Sequence, residues 1–157
     1  KCSMINKMPG IYEDKFANLK AGYSFMMGHP GKKLLFMGQD FAQFQEWSEE
    51  RQLDWYLLKE NQHQWMQAFV TRLLHIYKKY PCLYERDDHP GSFEWINADD
   101  CFRSIFSFVR LSENGKKNLL FVCNFTPMER ADYRVGVPHP SDPGFRRSGF
   151  WRKSAGG

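Results

Sequence analysis

A chain of 157 residues, 42% hydrophobic and 25% charged, is long enough to bury one core or two small ones and has the balance of a soluble globular protein. Its formal net charge of +4 is modest. The only concentrated basic stretch is Arg146, Arg147, Arg152 and Lys153, so no nucleic-acid partner is called for, and no run approaches the roughly 20 apolar residues of a membrane span.

Met8-Pro9-Gly10 makes a turn, after which Phe16, Leu19, Tyr23, Met26 and Met27 fall at helical spacing and predict an amphipathic helix over residues 13–27. Gly28-His29-Pro30-Gly31 stops it. Leu34, Leu35, Phe36 and Met37 then form a short apolar run without period-2 alternation, which predicts a strand over 33–37 buried on both faces, as in a parallel sheet. In barrels and open α/β sheets the ligand site lies at the carboxyl ends of such strands, which puts Gly38, Gln39 and Asp40 on a functional rim. Residues 39–61 form a long rim segment with one short helical stretch, Leu53 to Leu58. Loops of that length tend to be functional.

Trp65, Met66, Phe69, Val70, Leu73, Leu74 and Tyr77 predict a helix over 62–79, ended by Tyr80-Pro81 because proline disfavours helix at the residue before it. From Ser92 onward only strand patterns occur: Phe93 to Asn97, Arg103 to Arg110, Asn118 to Asn124 and Asp132 to Val137. Asn114-Gly115 marks a hairpin between the second and third. The second half is therefore expected to be an antiparallel β domain, with a boundary near residues 81–91.

Asp40, with Glu46, Glu49 and Asp54 after it, could supply the two carboxylates of a glycosidase, or could cap backbone amides while the glutamates stay solvated. Trp47 lies in a polar loop, where it either stacks on a sugar ring or packs under the loop. His29, in the turn after the first helix, reads as structural, and neither His63 nor His75 has a Ser or Cys partner suggesting a triad. Cys2, Cys82, Cys101 and Cys123 are spread singly, with no C-x-x-C pair and no histidine at ligand spacing, so no metal is expected and reduced thiols in the cytoplasm are.

Several strings in this order resemble the C-terminal part of a bacterial glycogen branching enzyme, a 1,4-α-glucan branching enzyme of the α-amylase clan. They are NKMPG (Asn6 to Gly10), KFANLK (Lys15 to Lys20), HPGKKLLFMGQDFAQFQEW (His29 to Trp47), LDWYLL (Leu53 to Leu58), YKKYPCLYE (Tyr77 to Glu85), FEW (Phe93 to Trp95) and NFTPMERADYRVGV (Asn124 to Val137). The resemblance implies α/β plus all-β architecture. Residues 1–81 would be the seventh helix, eighth strand and eighth helix of a (β/α)8 barrel, and residues 82–140 an incomplete amylase-type C-terminal β-sandwich. Residues 141–157, rich in Gly, Ser and Arg, depart from the family pattern and are expected to be poorly ordered.

The same resemblance implies an enzyme without cofactor that transfers α-1,4-glucan chains in glycogen. Its nucleophile, acid/base and transition-state-stabilising residues come from earlier strands, the last of them in a His-Asp-Glu motif expected just before Lys1. No residue of this chain is then catalytic, and the chain, read as a fragment beginning at Lys1, is expected to be inactive alone. Gln39, Asp40 and Trp47 are the expected glucan-facing residues. The family usually carries Glu where Asp40 stands. Two alternatives remain open from sequence: a non-enzymatic glucan-binding module, and another enzyme of the clan such as a debranching or trehalose-forming hydrolase.

Overall fold

Helices whose apolar faces fall on one side organise the first half of the computed structural model, which describes residues 2–115 and 117–137. A single turn, α1 (Met4–Lys7), precedes α2 (Tyr12–Gly28) and α3 (Asn61–Lys79). Glu13 and Asp14 in the first turn of α2 suit the positive end of its dipole, and Asp14 Oδ2 accepts from the Ile11 amide at 3.2 Å. Phe16, Leu19 and Tyr23 of α2 pack with Met66 and Val70 of α3 around Ile5. Lys78 and Lys79 complement the carboxyl end of α3 before Pro81 stops it.

The chain divides into two compact units: Lys1–Met27 with Lys32–Lys79, and Gly28–Gly31 with Tyr80–Gly157. In the second unit β1 (Phe93–Asp100), β2 (Ile105–Arg110) and β3 (Leu119–Asn124) form an antiparallel sheet in that order. The β2–β3 register is unbroken from Ile105↔Asn124 to Arg110↔Leu119, whereas irregularities at Trp95/Asn97 and Asn97/Asp100 bend β1. The central strand is covered on both faces, so Ile105, Ser107, Phe108, Val109 and Arg110 are all buried. Phe108 stacks on Phe121 (4.9 Å, 10°) and meets Phe93 and Trp95 edge-on or tilted, with His29 5.1 Å from Phe93. Gly28 lies flat on Phe121: a Cβ there would come within 2.6 Å of the ring.

Both predicted helices and three of the predicted strands are present. Two expectations fail. Residues 33–37 form no strand, and only Leu35 packs on the core while Leu34 is 72% exposed, with Phe36 and Met37 also exposed. A strand buried on both faces needs neighbours at its edges and layers above and below, and no described strand pairs with this segment. Residues 132–137 likewise join no ladder, and Asp132 takes a left-handed φ of 55° that interrupts an extended path. The 141–157 stretch lies outside the described residues.

All four cysteines are free, Cys2 and Cys101 exposed, Cys82 and Cys123 buried. Burial pushes the Cys82 thiol up to about 11, partly offset by the nearby Arg110 guanidinium, and raises Cys123 as well. Because the thiolate is the nucleophile, iodoacetamide at pH 8 should label Cys2 and Cys101 quickly in the native chain. Cys82 and Cys123 should react at comparable rates only in denaturant, which peptide mass mapping reads directly.

Candidate functional site

The rim segment of the first unit is built on a tight turn. Gly38 adopts a left-handed φ of 79°, and the 3₁₀ turn Gln39–Phe41 follows, closed by Ala42 at φ 60°. Met37 also has a positive φ, 24°. Non-glycine residues in such conformations cost roughly 1–3 kcal/mol and persist where surrounding contacts over-determine them. Those contacts are visible here. Gln43 is buried; its amide donates to Gly38 O (2.9 Å), its side-chain Nε2 to Gln45 O (3.0 Å), and its Oε1 accepts from the Asp54 amide (2.8 Å). A Cβ at Gly38 would lie 2.9 Å from the Gln43 Cβ, so the turn needs glycine both for its φ and for space.

Further anchors hold the segment to the helices. Tyr23 Oη donates to Gln39 O at 3.1 Å. Its phenol is pushed far above its ordinary value, first by burial and then by the Asp40 charge, so it stays a donor. His63, fully buried, lies 2.7 Å through Nδ1 from Phe41 O, and since a carbonyl only accepts, Nδ1 carries the proton. Asn6 and Ser3 both donate to Phe44 O, at 2.6 and 2.8 Å.

Gln39 and Trp47 are brought together through Phe36. The Phe36 amide donates to Gln39 Oε1 (3.1 Å), and its ring meets Trp47 edge-on with centroids 5.3 Å apart. Trp47 is 46% exposed and lines a cleft of about 310 Å³ with Glu46, Ser48, Glu49 and Glu50. Asp40 is half-buried, makes no hydrogen bond among the described residues, and does not line that cleft. Asp54 faces inward: its Oδ2 is buried without a partner among the described residues. An exposed indole beside acceptor carboxylates suits a polyhydroxylated ring, whose C–H face stacks while its hydroxyls donate.

Sequence patterns alone gave no sign of Gln43, Tyr23 or His63 as supports of this turn. Their signal lies in hydrogen bonds spanning 11 to 22 residues.

Residues 95–142 match the family model described as alpha amylase, C-terminal all-beta domain. The chain is 61% identical over 138 residues to a protein of Butyrivibrio fibrisolvens named 1,4-alpha-glucan branching enzyme GlgB, covering 88% of this chain and 22% of that one. Proteins of the same name from Aquifex aeolicus and Gloeobacter violaceus are each 48% identical over 153 residues, or 98% of this chain and 23% and 20% of theirs. The chain therefore spans about a fifth of the length of the curated relatives it matches.

Proposed function

This chain is a homologue of the C-terminal part of bacterial 1,4-α-glucan branching enzymes, and we propose that it closes the glucan cleft of such an enzyme without contributing a reacting group. The parent enzyme would cleave an α-1,4 bond, hold the severed chain as a glycosyl ester on an aspartate, and pass it to a 6-hydroxyl, building α-1,6 branches in cytoplasmic glycogen. The observation that carries this is the 61% identity across 88% of the chain.

In this proposal residues 33–37 are the last strand of a (β/α)8 barrel. The outward Leu34, Phe36 and Met37 support it, because their exposure would be removed by neighbouring strands and helices. Trp47 stacks on a glucose unit of the α-1,4 chain. Gln39 and Asp40 line the approach, with Gln39 held by Tyr23 and Phe36. Asp40, one methylene shorter than the family's usual glutamate, reaches less far and has no bond to lose among the described residues.

Two measurements test this. Added to amylose, the chain alone should leave the iodine colour unchanged, since the resemblance assigns it no nucleophile or acid/base; a falling absorbance would refute that. In native gels containing glycogen the chain should be retarded, and Trp47→Ala should weaken apparent affinity about fivefold, in line with one aromatic stacking contact. Retardation equal to wild type in that variant would remove Trp47 from the glucan surface.

A further inference from the structure

The β unit contains a cleft of about 500 Å³ walled by the end of β1, the β1–β2 hairpin and residues 130–134. Three of its lining residues are arginines, Arg103, Arg130 and Arg134, against two carboxylates, Asp100 and Asp132. Asp100 is already engaged: Oδ2 accepts from Tyr133 Oη (3.1 Å) and Arg103 Nη1 (3.3 Å), and Oδ1 from the Arg103 amide (3.3 Å). Desolvation opposes its charge, yet the bonds from Tyr133 and Arg103 prevail and hold its carboxyl below the usual range. This carboxylate therefore fixes Arg103 at the cleft mouth and has little capacity left for another guanidinium.

The other two arginines lack such a match. Arg130 rests its Nη2 4.0 Å from Met128 Sδ, and its Nε is buried with no hydrogen-bond partner among the described residues. Among the described residues neither Arg130 nor Arg134 forms an ion pair. Asp132 is the one remaining lining carboxylate, so the cleft has an excess of positive charge. Guanidinium forks pair bidentately with tetrahedral oxyanions, and Asn97 and Tyr133 add neutral polar groups of the kind that orient a hydroxylated ligand. A volume of about 500 Å³ falls in the range of small-molecule sites.

We propose that this cleft binds a phosphate group, either as free phosphate or as the monoester of a sugar.

Calorimetric titration of the 157-residue chain in a phosphate-free buffer, with inorganic phosphate, glucose 6-phosphate and glucose as separate probes, tests it. Saturable binding of both phosphate-bearing probes and none of glucose is expected. Equal affinity for the two identifies free phosphate as the ligand, and tighter binding of glucose 6-phosphate identifies the monoester. Arg130→Gln and Arg134→Gln should each weaken binding about tenfold. Arg134 is exposed, so that variant keeps its fold and isolates the charge effect. The proposal is overturned by no saturable heat with either phosphate probe, by glucose binding as well as they do, or by wild-type affinity in Arg134→Gln with its thermal melt unchanged.

Discussion

Asp87→Ala lowers the stability of the β unit by about 3–5 kcal/mol, the cost of leaving a buried charge without its partner. Arg110 is 0% exposed, its Nη2 lies 2.6 Å from Asp87 Oδ1, and its Nη1 donates to Gly28 O at 3.0 Å. Its Nε has no partner among the described residues. A guanidinium does not neutralise itself by losing a proton, so removing the carboxylate strands a full charge against one carbonyl. Asp87 is 12% exposed where Arg110 is 0%, so Arg110→Met should cost less than Asp87→Ala. The pair Asp87→Leu with Arg110→Met removes both charges and should recover most of the loss, because apolar replacements of buried ion pairs are often neutral or better. Urea denaturation of wild type and the three variants compares these costs; an Asp87→Ala cost below 1 kcal/mol would mean that water reaches Arg110.

Arg110 also shows where the sequence is opaque. At the end of an apolar strand pattern it reads as a surface cation, and only a carboxylate 23 residues earlier makes its burial tolerable. The helices were legible because their apolar spacing is local: Phe16, Leu19 and Tyr23, or Met66 and Val70, declare one face without reference to anything distant. The hairpin between β2 and β3 was legible for the same reason, Asn114-Gly115 marking a reversal whose glycine has φ 67°. Residues 33–37 misled because an unbroken apolar run reports what a segment would bury, not whether ladder partners exist among the same residues. Tyr133, Val135 and Val137 alternate as a strand should, but alternation does not supply an edge to pair with. In the candidate site, the polar setting of Trp47 left open whether it packs under the loop, and the structure leaves it 46% exposed. Gln43 was invisible, being one more polar residue in a loop until the left-handed Gly38 turn takes its backbone N–H and the Asp54 amide and Gln45 carbonyl engage its side chain.

His63→Ala should destabilise the first unit by about 3–5 kcal/mol, and comparison with His63→Leu separates its two causes. The ring is 0% exposed and stands edge-on to Phe16 and to Phe44, centroids 5.0 Å away in each case. Truncation leaves a cavity between those rings and also orphans Phe41 O, to which Nδ1 donates. Leucine refills much of the volume but donates nothing, so His63→Leu should cost only the unsatisfied carbonyl, about 1–3 kcal/mol. Phe41 closes the 3₁₀ turn that carries Gln39 and Asp40, and Trp55 stacks on it at 5.4 Å, so a displaced Phe41 should be reported by near-UV circular dichroism. If the glucan surface depends on this turn, retardation in glycogen gels should fall in both variants in proportion to the lost aromatic signal. Equal stability of His63→Ala and His63→Leu would show that the hydrogen bond to Phe41 is the whole of its role, and an undiminished aromatic signal in both would show that Gln43 and Tyr23 suffice to hold the turn.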